Sequence, residues 1–283
     1  MNHISVMADW FHKGVLGGLD AAHAIGAGAV QLNVGSRGAV TDVWTPAFRA
    51  EVRQRLQDRS LAVSALCGDL GGHGFQNSEE NAWRIEETRK MFDLAKDLGT
   101  AVVTSHIGVV PEDVSHPRRA IMVDAMQRIG RAAQAAGCRI AIETGPERPE
   151  VLLAFLKDVG NPHIGVNYDP ANLVMVLDHV DPVKGVYTLK DYIFHTHVKD
   201  GKQLKYVGPE KIYGYFAEGG IEDLRMEDCF FETPLGDGDV DFVAWIKALK
   251  DVGYRGYYTI EREVGQDPTI DIQKAVDFLK AHI

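Results

Sequence analysis

Strand-like and helix-like segments alternate along the whole chain, and no other feature constrains its fold as strongly. Apolar runs of strand length occur at His3 to Met7, Ala29 to Val34, Leu61 to Leu66, Thr100 to Ser105, Arg139 to Glu143, His163 to Tyr168, Asp191 to Val198 and Tyr257 to Ile260. Helical patterns separate them: Gly17 to Ala27, Pro46 to Arg59 with Thr45 as N-cap, Ser78 to Leu98 stopped by Gly99, and Pro117 to Ala136 closed by Gly137. The series continues with Pro149 to Val159, Pro170 to Leu189 broken at Pro182, Val240 to Val252, and Pro268 to His282. Such alternation implies parallel βαβ units, and eight strands close a barrel. The expected fold is therefore α/β, a single (β/α)8 TIM barrel over residues 1–283. The 283 residues suit one barrel, which typically needs about 250. An open doubly wound sheet is the alternative, but no GxGxxG opens a helix.

One connection departs from the pattern. Lys202 to Gly238, after the seventh strand, carries Tyr206, Tyr213, Tyr215, Phe216, Phe230 and Phe231 without a strong period. Connections this long are usually functional, so an active-site lid or a subunit interface is expected there. Its aromatics also suit a homodimer contact.

Charge and cysteine content narrow the class further. The net charge is −10, from 40 acidic and 30 basic residues, and no basic stripe of the kind that tracks nucleic acid is present. The locally basic stretch from Arg119 to Arg139 has its charges spaced as on a solvated helix face. No apolar run approaches the ~20 residues of a membrane span, and no basic, then apolar, leader opens the chain. Cys67, Cys138 and Cys229 are widely spaced and match no zinc pattern. A reduced, cytoplasmic setting is the expectation.

In a barrel of this type the reacting groups sit at the C-terminal strand ends. Four consecutive strands end in polar residues: Glu143, then Asp169, then His195 and His197, then Glu261 with Glu263. His195 and His197 alternate onto one strand face. A metal or an anionic reaction centre accounts for two buried imidazoles side by side. A hydrogen-bonded core histidine beside a solvated loop is the other reading, and Asp169 before Pro170 also suits a helix N-cap. Three carboxylates and an imidazole together favour one divalent cation, Mn²⁺ first, with Mg²⁺, Co²⁺ or Zn²⁺ also suited.

Glu143 after its apolar strand, Gly165 to Leu173 (GVNYDPANL), the HTHVKDG segment from His195, Pro234 to Gly238 (PLGDG) with Val240-Asp241-Phe242, and Glu261 resemble the sugar phosphate isomerase/epimerase superfamily. This xylose-isomerase-like TIM-barrel group includes ketose 3-epimerases, inosose dehydratase and an AP-endonuclease branch. The resemblance spans essentially the whole chain. It implies Glu143, Asp169, His197 and Glu261 as metal ligands, with Glu143 and Glu261 doubling as the acid/base pair and His195 as a neighbour. Two positions depart from the epimerase pattern: Asn172 stands where a His is common, and Lys199-Asp200 replaces Gly-Glu. The AP-endonuclease branch requires three zinc ions and a larger ligand set.

Candidate substrate contacts are His106 at the end of strand four, Asp69 in the glycine-rich loop after strand three, and Asn172, His195, Lys199 and Arg262. The expected activity is a divalent-metal-dependent isomerase or epimerase of carbohydrate metabolism, acting on a small keto-sugar or polyol through an enediolate. A lyase or dehydratase acting on a keto-sugar or keto-inositol uses the same enolisation. A non-catalytic sugar- or metal-binding barrel is the reading from another class. Small carbohydrates are the expected partners, with neither nucleic acid nor membrane.

Overall fold

Each predicted strand finds parallel neighbours on both sides, and the last closes onto the first. The computed structural model describes residues 3–35, 40–265 and 268–283, without the side chain of Thr41. Strands β1 (Ile4–Met7), β2 (Ala29–Asn33), β3 (Ala62–Cys67), β4 (Val102–Ser105), β5 (Arg139–Glu143), β6 (Ile164–Tyr168) and β7 (Ile193–Val198) follow in chain order. A two-stranded antiparallel hairpin, β8 (Asp200–Gln203) and β9 (Phe230–Thr233), intervenes before β10 (Tyr258–Ile260). The barrel runs β1-β10-β7-β6-β5-β4-β3-β2 and back to β1, so β10 is its eighth strand. The helices wrap the outside and bury Leu19, Phe92, Met126, Phe155, Trp245 and Leu279 against it, each at most 1% exposed.

Local chemistry explains the helix boundaries. Thr45 accepts from the Phe48 amide as expected, and Asn77 caps the long helix of the third unit through the Glu79 amide. The helical stretch read from Pro170 to Leu189 is two helices, Pro170–Val176 and Pro182–Leu189. Pro182 lacks the N–H needed to continue the first, and Asp181 caps the second through the amides of Val183 and Lys184.

Polar side chains line the barrel interior and meet across it. Ser5 Oγ and Ser64 Oγ lie 2.8 Å apart, joining β1 to β3. Gln31 Nε2 donates to Thr104 Oγ1 at 3.0 Å, joining β2 to β4. A register shift between β6 and β7 sets His195, not Phe194, beside Asn167. Gly165 permits this shift: a Cβ there would lie 2.5 Å from the Phe194 ring and 2.4 Å from the Tyr192 carbonyl oxygen.

The excursion after β7 is structured rather than irregular. Besides β8 and β9 it holds a helix, Pro209–Glu218, that roofs the C-terminal mouth. His73 Nε2 meets Glu218 Oε1 at 2.5 Å, Arg118 pairs with Glu210, and the rings of His106 and Tyr213 are 5.9 Å apart. The Asp200 carboxylate accepts from the amides of Gly201, Gly236, Gly238 and Val240, which ties both ends of the excursion together. Among the described residues no helix is long and apolar enough to cross a membrane. All three cysteines are free.

Candidate metal centre and active site

Strand alternation fixes who reaches the mouth. Glu143 ends β5, Asp169 follows β6, His197 lies near the end of β7 and Glu261 follows β10. One donor atom from each falls within 4.8 Å of all the others. His197 Nδ1 lies 3.0 Å from Glu143 Oε1, 3.0 Å from Glu261 Oε2 and 3.9 Å from Asp169 Oδ2. The structure thus brings together the four residues singled out as ligands.

In His197, Asp169 and Glu143 the second polar atom is held by the protein, which aims the first inward. The Nε2–H of His197 donates to Gln31 Oε1 at 2.9 Å, leaving Nδ1 as the ring atom that faces the carboxylates. Asp169 Oδ1 accepts from the amides of Ala171 (2.7 Å) and Asn172 (3.1 Å), so the carboxylate caps its helix with one oxygen and offers the other. The cap and ligand readings of Asp169 are compatible. Glu143 Oε2 accepts from Asn167 Nδ2, and Asn167 Oδ1 in turn accepts from His195 Nδ1 at 2.8 Å.

Two buried atoms of the cluster have no hydrogen-bond partner: Asp169 Oδ2 and His197 Nδ1. Carboxylate oxygens stand close to Nδ1 but off its hydrogen-bonding axis. Leaving such atoms buried and unpaired costs about 1–3 kcal/mol each. Three carboxylates and an imidazole converging with two orphaned donors fit a hard or borderline divalent cation.

The charges are strongly perturbed. Burial opposes a proton on His197, but Glu143 and Glu261 outweigh it and hold its pKa well above the imidazole range. Burial drives the Asp169 carboxyl well above its usual range, against the pull of Lys199. Burial works in the same sense on Glu261, yet Lys199 and His197 prevail and hold it below the ordinary carboxylate range. Lys199 Nζ is 3.3 Å from Glu261 Oε2, 3.9 Å from Glu232 Oε2, and pairs with Glu263. It braces a proposed ligand.

The remaining candidates divide. His106 Nδ1 and Asp69 Oδ2 pair at 2.9 Å near the mouth, and each side chain stays about one-third exposed. Burial opposes the His106 charge, but Asp69 pushes its pKa up to about 9. Asn172 Nδ2 donates to the Thr144 carbonyl at 3.2 Å and reaches Glu143 Oε1 at 3.5 Å. Two expected substrate contacts spend their polar atoms within the protein. His195 is 1% exposed, and both its nitrogens are taken, by Asn167 Oδ1 and by Thr259 Oγ1 at 2.9 Å. The bulge buries it below the mouth, where burial, then His197, holds its pKa well below the usual value. Arg262 is clamped between Glu232 (2.8 Å) and Asp271 (2.9 Å), tying the hairpin to the last helix.

Sequence reading missed Gln31, Asn167, Tyr213 and Glu147. Asn167 was recoverable, because strand alternation places it on the face of Asp169. Tyr213 reaches the site from the roof helix: a Cβ on Gly145 would lie 2.2 Å from its hydroxyl and 2.9 Å from Asn172 Cβ. Nothing local in the sequence signals that approach.

Comparison with known proteins agrees with this architecture. The chain is 24% identical over 252 residues to L-ribulose-5-phosphate 3-epimerase UlaE of Escherichia coli K12, covering 85% of this chain and 79% of that protein. A xylose isomerase domain protein of Planctomyces limnophilus superposes with a TM-score of 0.77 at 26% identity, covering 93% of this chain and 91% of the other. The probable 3-DHS dehydratase AsbF of Bacillus anthracis superposes with a TM-score of 0.76 at 19% identity, over 98% of each chain. The family model described as xylose isomerase-like TIM barrel matches residues 19–282, and the chain belongs to that family.

Proposed function

We propose that this chain is a divalent-metal-dependent isomerase or epimerase that moves a proton at the carbon beside the carbonyl of a small keto-sugar or related polyol. One observation carries the reading: Glu143 and Glu261, from strands three places apart around the barrel, both stand 3.0 Å from His197 Nδ1. Two carboxylates meeting from different sides are what removal of a proton on one face and its return on another require. A divalent cation held by Glu143, Asp169, His197 and Glu261 would act as a Lewis acid on the substrate's carbonyl and adjacent hydroxyl oxygens and stabilise enediolate character. Lys199 keeps Glu261 ionised, ready to accept a proton, while Asn167 and Asn172 orient Glu143 by donating amide hydrogens.

The same enolisation ends in β-elimination if an acid can protonate a leaving group. His106 supplies a reason to keep that outcome open, since its pKa of about 9 leaves it protonated at neutral pH beside the mouth. A lyase acting on a keto-sugar or keto-inositol is therefore the second reading.

Metal analysis of the purified protein beside a Glu143→Ala/His197→Ala variant tests the centre. The expected result is about one divalent ion per wild-type chain and none in the variant. Incubating the metal-loaded protein with keto-sugars in D₂O then separates the reactions. Deuterium at carbon marks proton transfer, and loss of water marks the lyase. Metal uptake without exchange or elimination would reduce the protein to a binding barrel. No metal after reconstitution with excess Mn²⁺ would sink the reading.

A further inference from the structure

Beyond the metal cluster, one ionisable side chain at the mouth has no structural explanation. Glu147 lies four residues after Glu143, in the loop that leaves β5. It is 5% exposed, and although the Val110 backbone amide acts on its carboxylate, neither oxygen makes a well-formed hydrogen bond among the described residues. Other buried carboxylates around the barrel mouth serve identifiable purposes: Asp169 caps a helix, Asp200 binds four amides, and Glu232 holds Arg262. Glu147 does none of these. A buried carboxyl without a well-formed hydrogen bond costs on the order of 1–3 kcal/mol of desolvation, which a partner outside the chain would offset.

Its surroundings say which partner. Of the charges that act on Tyr213, whose hydroxyl reaches over Gly145, Glu147 is the strongest, and His106 is the cation that acts on Glu147. His106 and Tyr213 stand 5.9 Å apart, ring to ring, so the three groups share one corner of the mouth. The Tyr213 hydroxyl lies over Gly145, two residues before Glu147. The cation that acts on Glu147 is already paired. His106 is held by Asp69, and Lys199 and Arg262 are each held by carboxylates.

We propose that Glu147, with Tyr213, forms a second subsite that binds a neutral hydroxyl of the substrate away from the metal and selects unphosphorylated polyols over their phosphates. The inference rests on the sugar-enzyme reading above and names its substrate class. Burial pushes the Glu147 carboxyl up to about 8, so at neutral pH it carries a proton. A carboxylic acid offers one donor and one acceptor, which matches a hydroxyl group, itself both donor and acceptor. A phosphate offers acceptors only and brings negative charge toward a corner where the acting cation, His106, is already paired with Asp69.

Reduced sugars test this without turnover, because an alditol has no carbonyl and cannot enolise. Mg²⁺-loaded wild type, Glu147→Gln and Glu147→Ala are titrated with a panel of pentitols and hexitols and their terminal monophosphates. The wild type is expected to bind at least one alditol more tightly than its phosphate. Glu147→Gln, which keeps one donor and one acceptor, should stay within about threefold, and Glu147→Ala should weaken binding by about tenfold or more. Metal content and thermal unfolding of each variant are measured alongside. Should Glu147→Ala not fold or not load metal, Glu147→Asp withdraws the same carboxyl by one methylene and should cost about fivefold or more. The proposal is overturned if the truncated variant binds the alditol like wild type, if the phosphate binds wild type more tightly, or if no alditol binds. Failure of the enolisation reading would appear elsewhere, as absent deuterium exchange with keto-sugars, and would leave these affinity ratios intact.

Discussion

The barrel interior holds two polar layers that differ in how completely they are satisfied. In the lower layer Ser5 bonds Ser64, Gln31 bonds Thr104, and His195 is bridged between Asn167 and Thr259. None of those side-chain atoms is left without a partner. One step higher stand Glu143, Asp169, His197 and Glu261, with Asp169 Oδ2 and His197 Nδ1 unpaired, and Glu147 beside them with both oxygens unpaired. Polarity in the lower layer is neutral and closed, and it positions the upper one through Gln31 and Asn167. Polarity in the upper layer is charged and open, which is costly for folding alone. Residual unsatisfied valence, more than polarity, separates the part of this interior that acts from the part that supports it.

That contrast can be broken most directly at Glu261. Glu261→Gln keeps the shape of the side chain but removes the proposed proton acceptor. Deuterium exchange from a keto-sugar should fall by about a thousandfold, with the far-UV circular dichroism unchanged. Exchange at the wild-type rate would strip Glu261 of its acid/base role.

The lower layer should respond in the opposite manner. Ser64→Ala leaves the Ser5 hydroxyl buried without its partner and should cost about 1–3 kcal/mol in urea unfolding, with metal content unaltered. Ser5→Ala/Ser64→Ala removes both partners and should recover most of that loss. A drop in metal affinity without a drop in stability would show that the two layers are not separable in this way.

The smallest expected effect concerns the Asp69–His106 pair at the rim. The folded pKa of His106 is raised from 6.5 to about 9, so the pair's contribution is complete below pH 6.5 and is lost as the pH rises through about 9. The stability difference between wild type and His106→Gln should follow that window. With both side chains about one-third exposed, solvent screening limits it to on the order of 1 kcal/mol or less. A difference that stays constant from pH 6 to pH 10 would contradict an ion pair there.

Much of this arrangement was legible in the chain. Strand and helix periods, proline at first helical turns and glycine stops delimit the barrel, because those signals act within a few residues. Alternation along four strands placed Glu143, Asp169, His197 and Glu261 at one end, since a side chain's face follows from its position in the strand. The family resemblance chose His197 over His195 as the ligand. The structure supplies a physical correlate of that choice: His195 spends both nitrogens within the barrel, while His197 keeps Nδ1 toward the carboxylates.

Only the tertiary structure decided how these residues are held and what surrounds them. The β6–β7 bulge that Gly165 permits is a relation between two strands, and no single segment encodes it. Arg262 looked free because its partners lie 30 residues earlier, at Glu232, and nine residues later, at Asp271. Tyr213 enters the mouth because the excursion folds back as a roof, anchored by the Asp200 carboxylate to amides 36 and 38 residues away. Glu147 reads in sequence as an ordinary loop charge. Burial beneath that roof, a property of the folded chain alone, is what turns it into an unpaired carboxyl in search of a ligand. Local periodicity determined which groups share the end of the barrel, and long-range packing determined which of them are left with a free valence.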